Sequence, residues 1–380
     1  MKPFLLVAGD VVKTGGMDRA NYALAEFLVR QGAEVHLVSH RVDPELRSHV
    51  VWHPVRRVAK SNFLSEFLLD RAGQSWARPI TQRGGRVIVN GGNCDWGDVN
   101  WVHYVHAAYR SESQVNLQQQ LKLAVTHPYY CYTEKRSLQQ AQIVIANSEQ
   151  TRSRLIEHQL ADASKIRTVY CGIDPDQFYP ATTTEVRSLR QRLGFPLDRS
   201  IVVFVGGLSD RRKGFDRVFE AWQQLCQDPT WTAQLIVVGQ GAEVPIWKQK
   251  LIEAGIIDRV QFLGFRSDVP DILRAADCLV APTRYEAYGL GVHEALCCGI
   301  PAIVTATAGV AERYPRSLSS LLLSDGSDLR NVLYHWRSQQ QFYQQLVQTQ
   351  VAPVLRNGTW ERMAQEILSA IVPDAKPVLI

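Results

Sequence analysis

Short apolar runs rich in Val and Ile alternate with amphipathic stretches along most of the chain, and this alternation narrows the fold more than any other feature. The runs are Phe4–Ala8, Glu34–Ser39, Arg86–Asn90, Trp101–Val105, Ile143–Ala146, Ile201–Val205, Gln234–Val238, Val260–Leu263, Cys278–Val280 and Ala302–Val304. Each is followed by Gly or polar residues, the pattern of strands buried on both faces of a parallel sheet. The stretches between them read as helices. In Phe215–Leu225, for example, Phe215, Val218, Phe219 and Trp222 share one face. The pattern restarts after Asp174-Pro175-Asp176-Gln177-Phe178-Tyr179-Pro180-Ala181, a turn-rich stretch without periodicity. A chain of 380 residues is too long for one ordinary core. Two doubly wound α/β domains, facing across a cleft, are therefore expected.

Composition limits the function classes. A hydrophobic fraction of 46% and a charged fraction of 21% describe a globular chain. No apolar run is long enough to span a bilayer, and the apolar start ends at Asp10, too soon for a signal sequence; a cytoplasmic protein is expected. The seven cysteines show neither a C-x-x-C pair nor zinc spacing, which suits reduced, buried thiols. The net charge of +5 is unevenly spread. Between Arg41 and Arg86 lie nine basic residues (Arg41, Arg47, Arg56, Arg57, Lys60, Arg71, Arg78, Arg83 and Arg86) against four acids, with Phe63, Leu64, Phe67 and Leu68 among them. Two readings stand: a solvated basic edge, or peripheral contact with an anionic membrane or acceptor. No nucleic acid is expected as a partner.

The segment from Arg284 to Pro301 carries the most chemistry. A Gly-containing loop leads from the strand ending at Val280 into a helix starting near Leu290 and stopping at Gly299-Ile300-Pro301. Backbone N–H groups of Tyr288, Gly289, Leu290 and Gly291 would face outward at that helix start, a phosphate site needing no charged side chain. Glu286 and Glu294 bracket the loop with seven residues between them. Glu294 would accept hydrogen bonds from the two hydroxyls of a ribose, or else lie as an ordinary surface residue of the helix. A second anion element follows the strand Ile201–Val205: Gly206-Gly207-Leu208-Ser209-Asp210-Arg211-Arg212-Lys213-Gly214. Arg212 and Lys213 would neutralise a diphosphate and stabilise the charge that grows as it leaves. Near the N-terminus, Gly15-Gly16 forms a tight turn between the first strand and its helix, able to bring backbone amides to the same diphosphate. His106 ends the strand Trp101–Val105 and is either structural or a sugar contact able to hold a proton. Asp174-Pro175-Asp176 looks like a metal-binding pair but reads as turn chemistry, and no metal site is expected.

Together these residues resemble the retaining glycosyltransferases of family 4, with the GT-B fold. The resemblance runs in order through Gly15-Gly16, His106, Asn147-Ser148, Gly172-Ile173-Asp174, Arg212-Lys213-Gly214, Gly239-Gln240-Gly241, Phe262-Leu263-Gly264 and the Glu286–Glu294 bracket with Gly299-Ile300-Pro301. It implies an acceptor-side domain of residues 1–176, to which a C-terminal helix within 358–380 crosses back, and a donor-binding domain of residues 177–357. An apolar stripe of Trp360, Met363, Ala364, Ile367, Leu368 and Ile371 is compatible with that crossing. The resemblance also implies that Glu294 holds the ribose, and that Lys213, Arg212 and the Tyr288–Gly291 amides hold the diphosphate. Glu286 would contact the donor sugar, Gly16 would close on the phosphates, His106 would touch the sugar, and Phe265 and Arg266 would frame the base. The sequence departs from the family where an Arg often follows the first Gly of the strand-end turn; here Gly207 stands there. It departs again at Ala287 and Tyr288, where Gly and Phe are common.

The expectation is thus a retaining, metal-independent hexosyltransferase. It would use a nucleotide diphosphate sugar, UDP-glucose by default, with a glycan or lipid-linked oligosaccharide as acceptor, in polysaccharide biosynthesis. The rivals are a non-hydrolysing nucleotide-sugar epimerase of the same fold and a catalytically silent nucleotide-binding partner subunit. A dehydrogenase is disfavoured, since no G-x-G-x-x-G follows the first strand.

Overall fold

A computed structural model describes residues 2–58, 62–110, 117–209, 211–324 and 327–372; for residues 62 and 117–123 it describes the backbone alone. Lys60 of the basic stretch, Asp210 of the cationic turn and residues 373–380 of the expected final helix segment lie outside the described residues. The chain divides into two compact units. One comprises Met1–Arg110, Leu121–Gly172 and Gly358–Ile380, the other Ser111–Gln120 and Ile173–Asn357.

The first unit is built on strands β1 (Phe4–Val7), β3 (Val35–Ser39), β5 (Val51–Pro54), β6 (Arg86–Val89), β7 (Val99–Val102), β8 (Ile143–Ala146) and β9 (Ile166–Thr168). They form one sheet in the order β5-β3-β1-β6-β7-β8-β9, parallel throughout. The two-residue strands β2 (Asp10–Val11) and β4 (Arg41–Val42) pair separately beside it. All four residues of β1 are buried, as a central strand covered on both faces requires. Three long helices belong to this part of the chain: α1 (Gly16–Arg30), α2 (Asn62–Gln82) and α3 (Leu117–Gln140). Helix α2 comes very close to the sheet at Gly73, where a Cβ would fall 2.7 Å from Cys94 Sγ and 2.9 Å from Val7 Cγ1. The C-terminal helix Trp360–Ile371 packs on α1, its Met363, Ala364, Ile367, Leu368 and Ile371 buried in the core of this unit. That accounts for the apolar stripe seen in the sequence.

The second unit carries β10 (Ile201–Val205), β11 (Gln234–Val238), β12 (Val260–Gly264), β13 (Cys278–Ala281), β14 (Ala302–Thr305) and β15 (Leu322–Leu323), in the parallel order β12-β11-β10-β13-β14-β15. Strand order reverses between β10 and β13, so the loops leaving these two strands flank the crevice where open α/β sheets bind ligands. Helix α4 (Phe215–Leu225) follows β10 and α5 (Leu290–Cys297) follows β13. The stretch from Asp174 folds as a turn: the amide of Asp176 donates to Asp174 Oδ1 (3.2 Å) and that of Phe178 to the Asp174 carbonyl (3.0 Å).

Each of the ten strands expected from the sequence is present, with one displaced. The run placed at Trp101–Val105 pairs as Val99–Val102, and the chain leaves the ladder before His103. Val105 is nonetheless fully buried, which explains why an apolar pattern overran the strand. All seven cysteines are free thiols; five are buried, and Cys131 and Cys226 are half-buried.

Candidate active site

The second unit brings the two anion elements together. Residues Arg211–Lys213 form one 3-10 turn ahead of α4, whose N-cap is Gly214. Gly214 has φ +75°, and a Cβ there would fall 2.0 Å from the carbonyl oxygen of Pro282 in the loop after β13. Only glycine allows these two loops to lie so close. Arg284 then clamps them. Its amide donates to the Arg212 carbonyl (2.8 Å), and Nη1 donates to the Arg211 carbonyl (2.8 Å). Its guanidinium also makes a two-pronged bond to Asp216 in the first turn of α4, at 2.8 and 2.6 Å. Burial pushes the Asp216 carboxyl up, but Arg284 and Arg211 outweigh it and hold it below the usual carboxylate range.

The clamp sets Lys213 against Glu286. The Lys213 ammonium donates to Glu286 Oε2, with Arg212 Nη1 3.8 Å from the same oxygen and 3.4 Å from the Tyr285 carbonyl. Burial raises the Glu286 pKa, yet the two cations prevail and the carboxyl lies below its ordinary value, hence ionised at neutral pH. The carboxylate is therefore charged, and its two basic partners are already oriented on it, before any ligand arrives.

Beside them begins α5. Gly289 is its N-cap at φ +107°, with a position for Cβ only 2.9 Å from Val310 Cγ1. Among the described residues, the amides of Gly289, Leu290 and Gly291 donate to no backbone carbonyl outside the helix, as the first turn of a helix must leave them. A Cβ on Gly291 would meet nothing within 4 Å, so there is room beside its Cα. The Tyr288 side chain turns inward, where its hydroxyl bonds His293 Nδ1 at 2.6 Å. Glu294 is half-buried on the next turn, and no hydrogen bond to its carboxylate is present among the described residues. Burial alone pushes it up to about 8. A carboxyl so placed lacks hydroxyl donors.

Other expected residues have defined surroundings. Gly207 faces open space, so the missing Arg side chain is not excluded by crowding. Arg266 grips Asp268 through two nitrogens, with Nε donating to Oδ1 at 2.7 Å, and Phe265 is largely exposed. In the first unit, Gly15 is the N-cap of α1 at φ +83° and Gly16 its exposed first residue. Asp18, one turn in, is pushed up to about 6 by burial and by Asp10.

His106 opens a 3-10 turn after β7. Its amide and that of Ala107 donate to the two oxygens of Glu134, at 2.9 and 3.2 Å, and Glu134 is fully buried. Its ring stacks on Tyr130, centroids 5.1 Å apart. Burial, with a contribution from His127, pulls His106 down to about 4. A proton on His106 at neutral pH is therefore not available, which narrows its expected role to a neutral hydrogen-bonding group. Sequence reasoning missed Arg284, Asp216, Glu134 and Tyr130, whose roles depend on partners distant in the chain. Among the described residues no three His, Cys, Asp or Glu side chains gather as metal ligands.

The chain is similar to known proteins. The family described as Glycosyl transferases group 1 matches residues 199–335, and that described as Glycosyltransferase Family 4 matches residues 14–177. The D-inositol 3-phosphate glycosyltransferase of Mycobacterium leprae is 28% identical over 78% of this chain and 73% of its own length. The sucrose-phosphate synthase of Thermosynechococcus elongatus superposes with a TM-score of 0.75 at 21% identity, covering 97% of both chains. The Anabaena protein HepE, solved in complex with UDP and glucose, gives a TM-score of 0.69 at 18% identity over 98% of this chain and all of its own. These likenesses to solved structures establish the fold.

Proposed function

Because the chain belongs to glycosyltransferase family 4 and has the GT-B fold, we propose that it moves a hexose from a nucleotide diphosphate sugar, UDP-glucose by default, to a hydroxyl of a glycan or lipid-linked oligosaccharide. Transfer proceeds with retention at the anomeric carbon and without a metal, in polysaccharide biosynthesis. The observation that carries the reading is the convergence, beside the β10/β13 reversal, of Lys213 and Arg212 with the open amides of Leu290 and Gly291. That arrangement suits a diphosphate and opposes little to its departure.

In this reading Glu294 accepts bonds from the ribose hydroxyls, which would draw its pKa back down. Lys213 leaves Glu286 for the phosphates, and the freed carboxylate turns to the hydroxyls of the donor sugar. The bond from C1 to the diphosphate breaks, and its electron pair leaves with the nucleotide. The acceptor oxygen bonds C1 on the same face through an oxocarbenium-like state, and its proton passes to a departing phosphate oxygen. Glu286 orients the sugar and forms no covalent bond. His106, neutral, hydrogen-bonds the sugar, Gly16 contributes an amide to the phosphates, and Phe265 and Arg266 flank the base. HepE, solved with UDP and glucose, supports the choice of donor. A lipid-linked acceptor would bring the chain to a membrane face.

Thermal-shift screening against a panel of nucleotide sugars tests the donor, since a true one raises the melting temperature by linkage. Release of free nucleotide should then depend on an added glycan acceptor. Sugar interconversion without any acceptor would instead identify an epimerase.

A further inference from the structure

Five of the nine basic residues between Arg41 and Arg86 are occupied within the fold. Arg41 and Arg57 hold the buried Asp10, at 2.6 and 3.2 Å. Arg83 pairs with Glu34, Arg86 with Asp98 at 3.1 Å, and Arg47 lies over the Trp52 ring at 4.6 Å. Arg56, Arg71 and Arg78 are exposed, and no ion pair to any of them is present among the described residues. Two of these sit on α2, and the third is near it: the amide of Val58 donates to Ser65 Oγ at 2.9 Å, tying the preceding segment to the start of the helix.

Helix α2 has two distinct sides. Ser65, Leu69, Gly73, Ala77 and Ile80 are buried. On the other side Phe63, Leu64, Phe67 and Leu68 are between 39% and 47% exposed, large values for such residues on two successive turns. At about 100° per residue, Arg71 and Arg78 continue the same stripe. The only acids on α2, Glu66 and Asp70, lie at its flank and are half-buried. Burial pushes Glu66 up to about 7 against a hydrogen bond from Tyr130, and Asp70 accepts bonds from Gln74 and from the Asp95 amide. The stripe is therefore apolar at one end and cationic at the other, with no exposed carboxylate.

We propose that this stripe docks on a bilayer surface rich in anionic phospholipid, Phe63, Phe67 and Leu68 entering the boundary of the acyl chains while Arg56, Arg71 and Arg78 meet headgroup phosphates. Charge complementarity selects this occupant. A second copy of the chain would present the same stripe, which offers no exposed carboxylate to meet these arginines. The surface also leads toward the acceptor side. Ring contacts run from Phe63 to Tyr129 (4.5 Å between centroids), to Tyr130 (5.8 Å) and to His106 (5.1 Å). Docking would thus bring the His106 turn near the membrane, where a lipid-linked acceptor resides. That consequence rests on the proposed transferase function, whereas binding to vesicles does not, so the two can fail separately.

Flotation of the full chain with vesicles tests it. The chain should float with vesicles of equal parts phosphatidylglycerol and phosphatidylcholine, and not with phosphatidylcholine alone. The Phe67→Ser/Leu68→Ser variant should lose at least about ten-fold in partitioning, and Arg71→Glu/Arg78→Glu a similar factor that shrinks as salt is added. Both should keep the wild-type circular dichroism, because the altered side chains are exposed. No flotation with phosphatidylglycerol, or equal flotation of wild type and variants, would overturn the proposal. So would a wild-type dimer in sedimentation that Phe67→Ser/Leu68→Ser abolishes while vesicles recruit neither protein.

Discussion

The loop after β1 in the first unit and the loop after β10 in the second leave the central strands of two parallel sheets, each beside a reversal of strand order. Their chemistry is opposite. The first places Gly15-Gly16 among acids, with Asp10 neutralised by Arg41 and Arg57 and Asp18 pushed up to about 6. The second places Arg212 and Lys213 against the ionised Glu286, with Arg211 beside Asp216, next to a helix with open amides. The same architecture twice supplies a place for a ligand, but only the second sets an arginine and a lysine beside the start of a helix to grip an anion. Fold alone would have assigned both.

The largest test of that contrast is catalytic. Lys213→Ala should lower kcat by about 100- to 1000-fold, the loss typical of one charge-stabilising donor. His106→Ala should cost about ten-fold in kcat and, having lost one neutral hydrogen bond to the sugar, weaken the Kd for UDP-glucose by only a few-fold, as measured by calorimetry. A loss of donor binding in the His106 variant as large as that in Lys213→Ala would break the division of labour. Next is stability. Gly214→Ala puts a Cβ 2.0 Å from a carbonyl oxygen at φ +75° and should cost about 3 kcal/mol in urea unfolding.

Glu294 gives a smaller effect with a pH signature. Its carboxyl is held neutral up to about 8 in the free protein, whereas an unfolded Glu ionises near 4. The stability it contributes is complete at acid pH and is lost as pH rises through the folded value. Glu294→Gln should therefore be more stable than wild type above about pH 8. Since ribose hydroxyls bond best to the ionised form, UDP-glucose affinity should rise several-fold between about pH 6 and pH 9 in wild type. In Glu294→Gln it should be about ten-fold weaker and flat with pH. The smallest effect is expected at Gly207, whose surroundings are open. Gly207→Arg should change stability by less than about 0.5 kcal/mol and tighten UDP-glucose binding a few-fold, because it adds a cation to the same grip.

Local pattern carried much of this into the sequence, and long-range pairing carried the rest out of it. Central strands such as β1 and β10 are apolar on both faces and can be read from their residues alone. Strand β5, Val-Trp-His-Pro, is an edge strand, partly exposed and closed by a proline, so it lacks that signature. Strand β9 is a three-residue edge with an exposed Arg167. At the site, the Glu286–Glu294 bracket and the Arg212-Lys213 turn were legible because each lies in one short segment. The clamp between Arg284 and Asp216 was not, since its partners stand 68 residues apart. Nor was the bond from the His106 amide to Glu134, 28 residues away. The lowered pKa of His106 likewise follows from burial that only the folded chain reveals.

A crystal structure of the chain soaked with UDP tests the anion grip most directly. The β-phosphate should accept hydrogen bonds from the Leu290 and Gly291 amides, with Lys213 Nζ moved from Glu286 onto it and the ribose on Glu294. UDP bound elsewhere, or Lys213 still on Glu286 with the start of α5 untouched, would contradict the account.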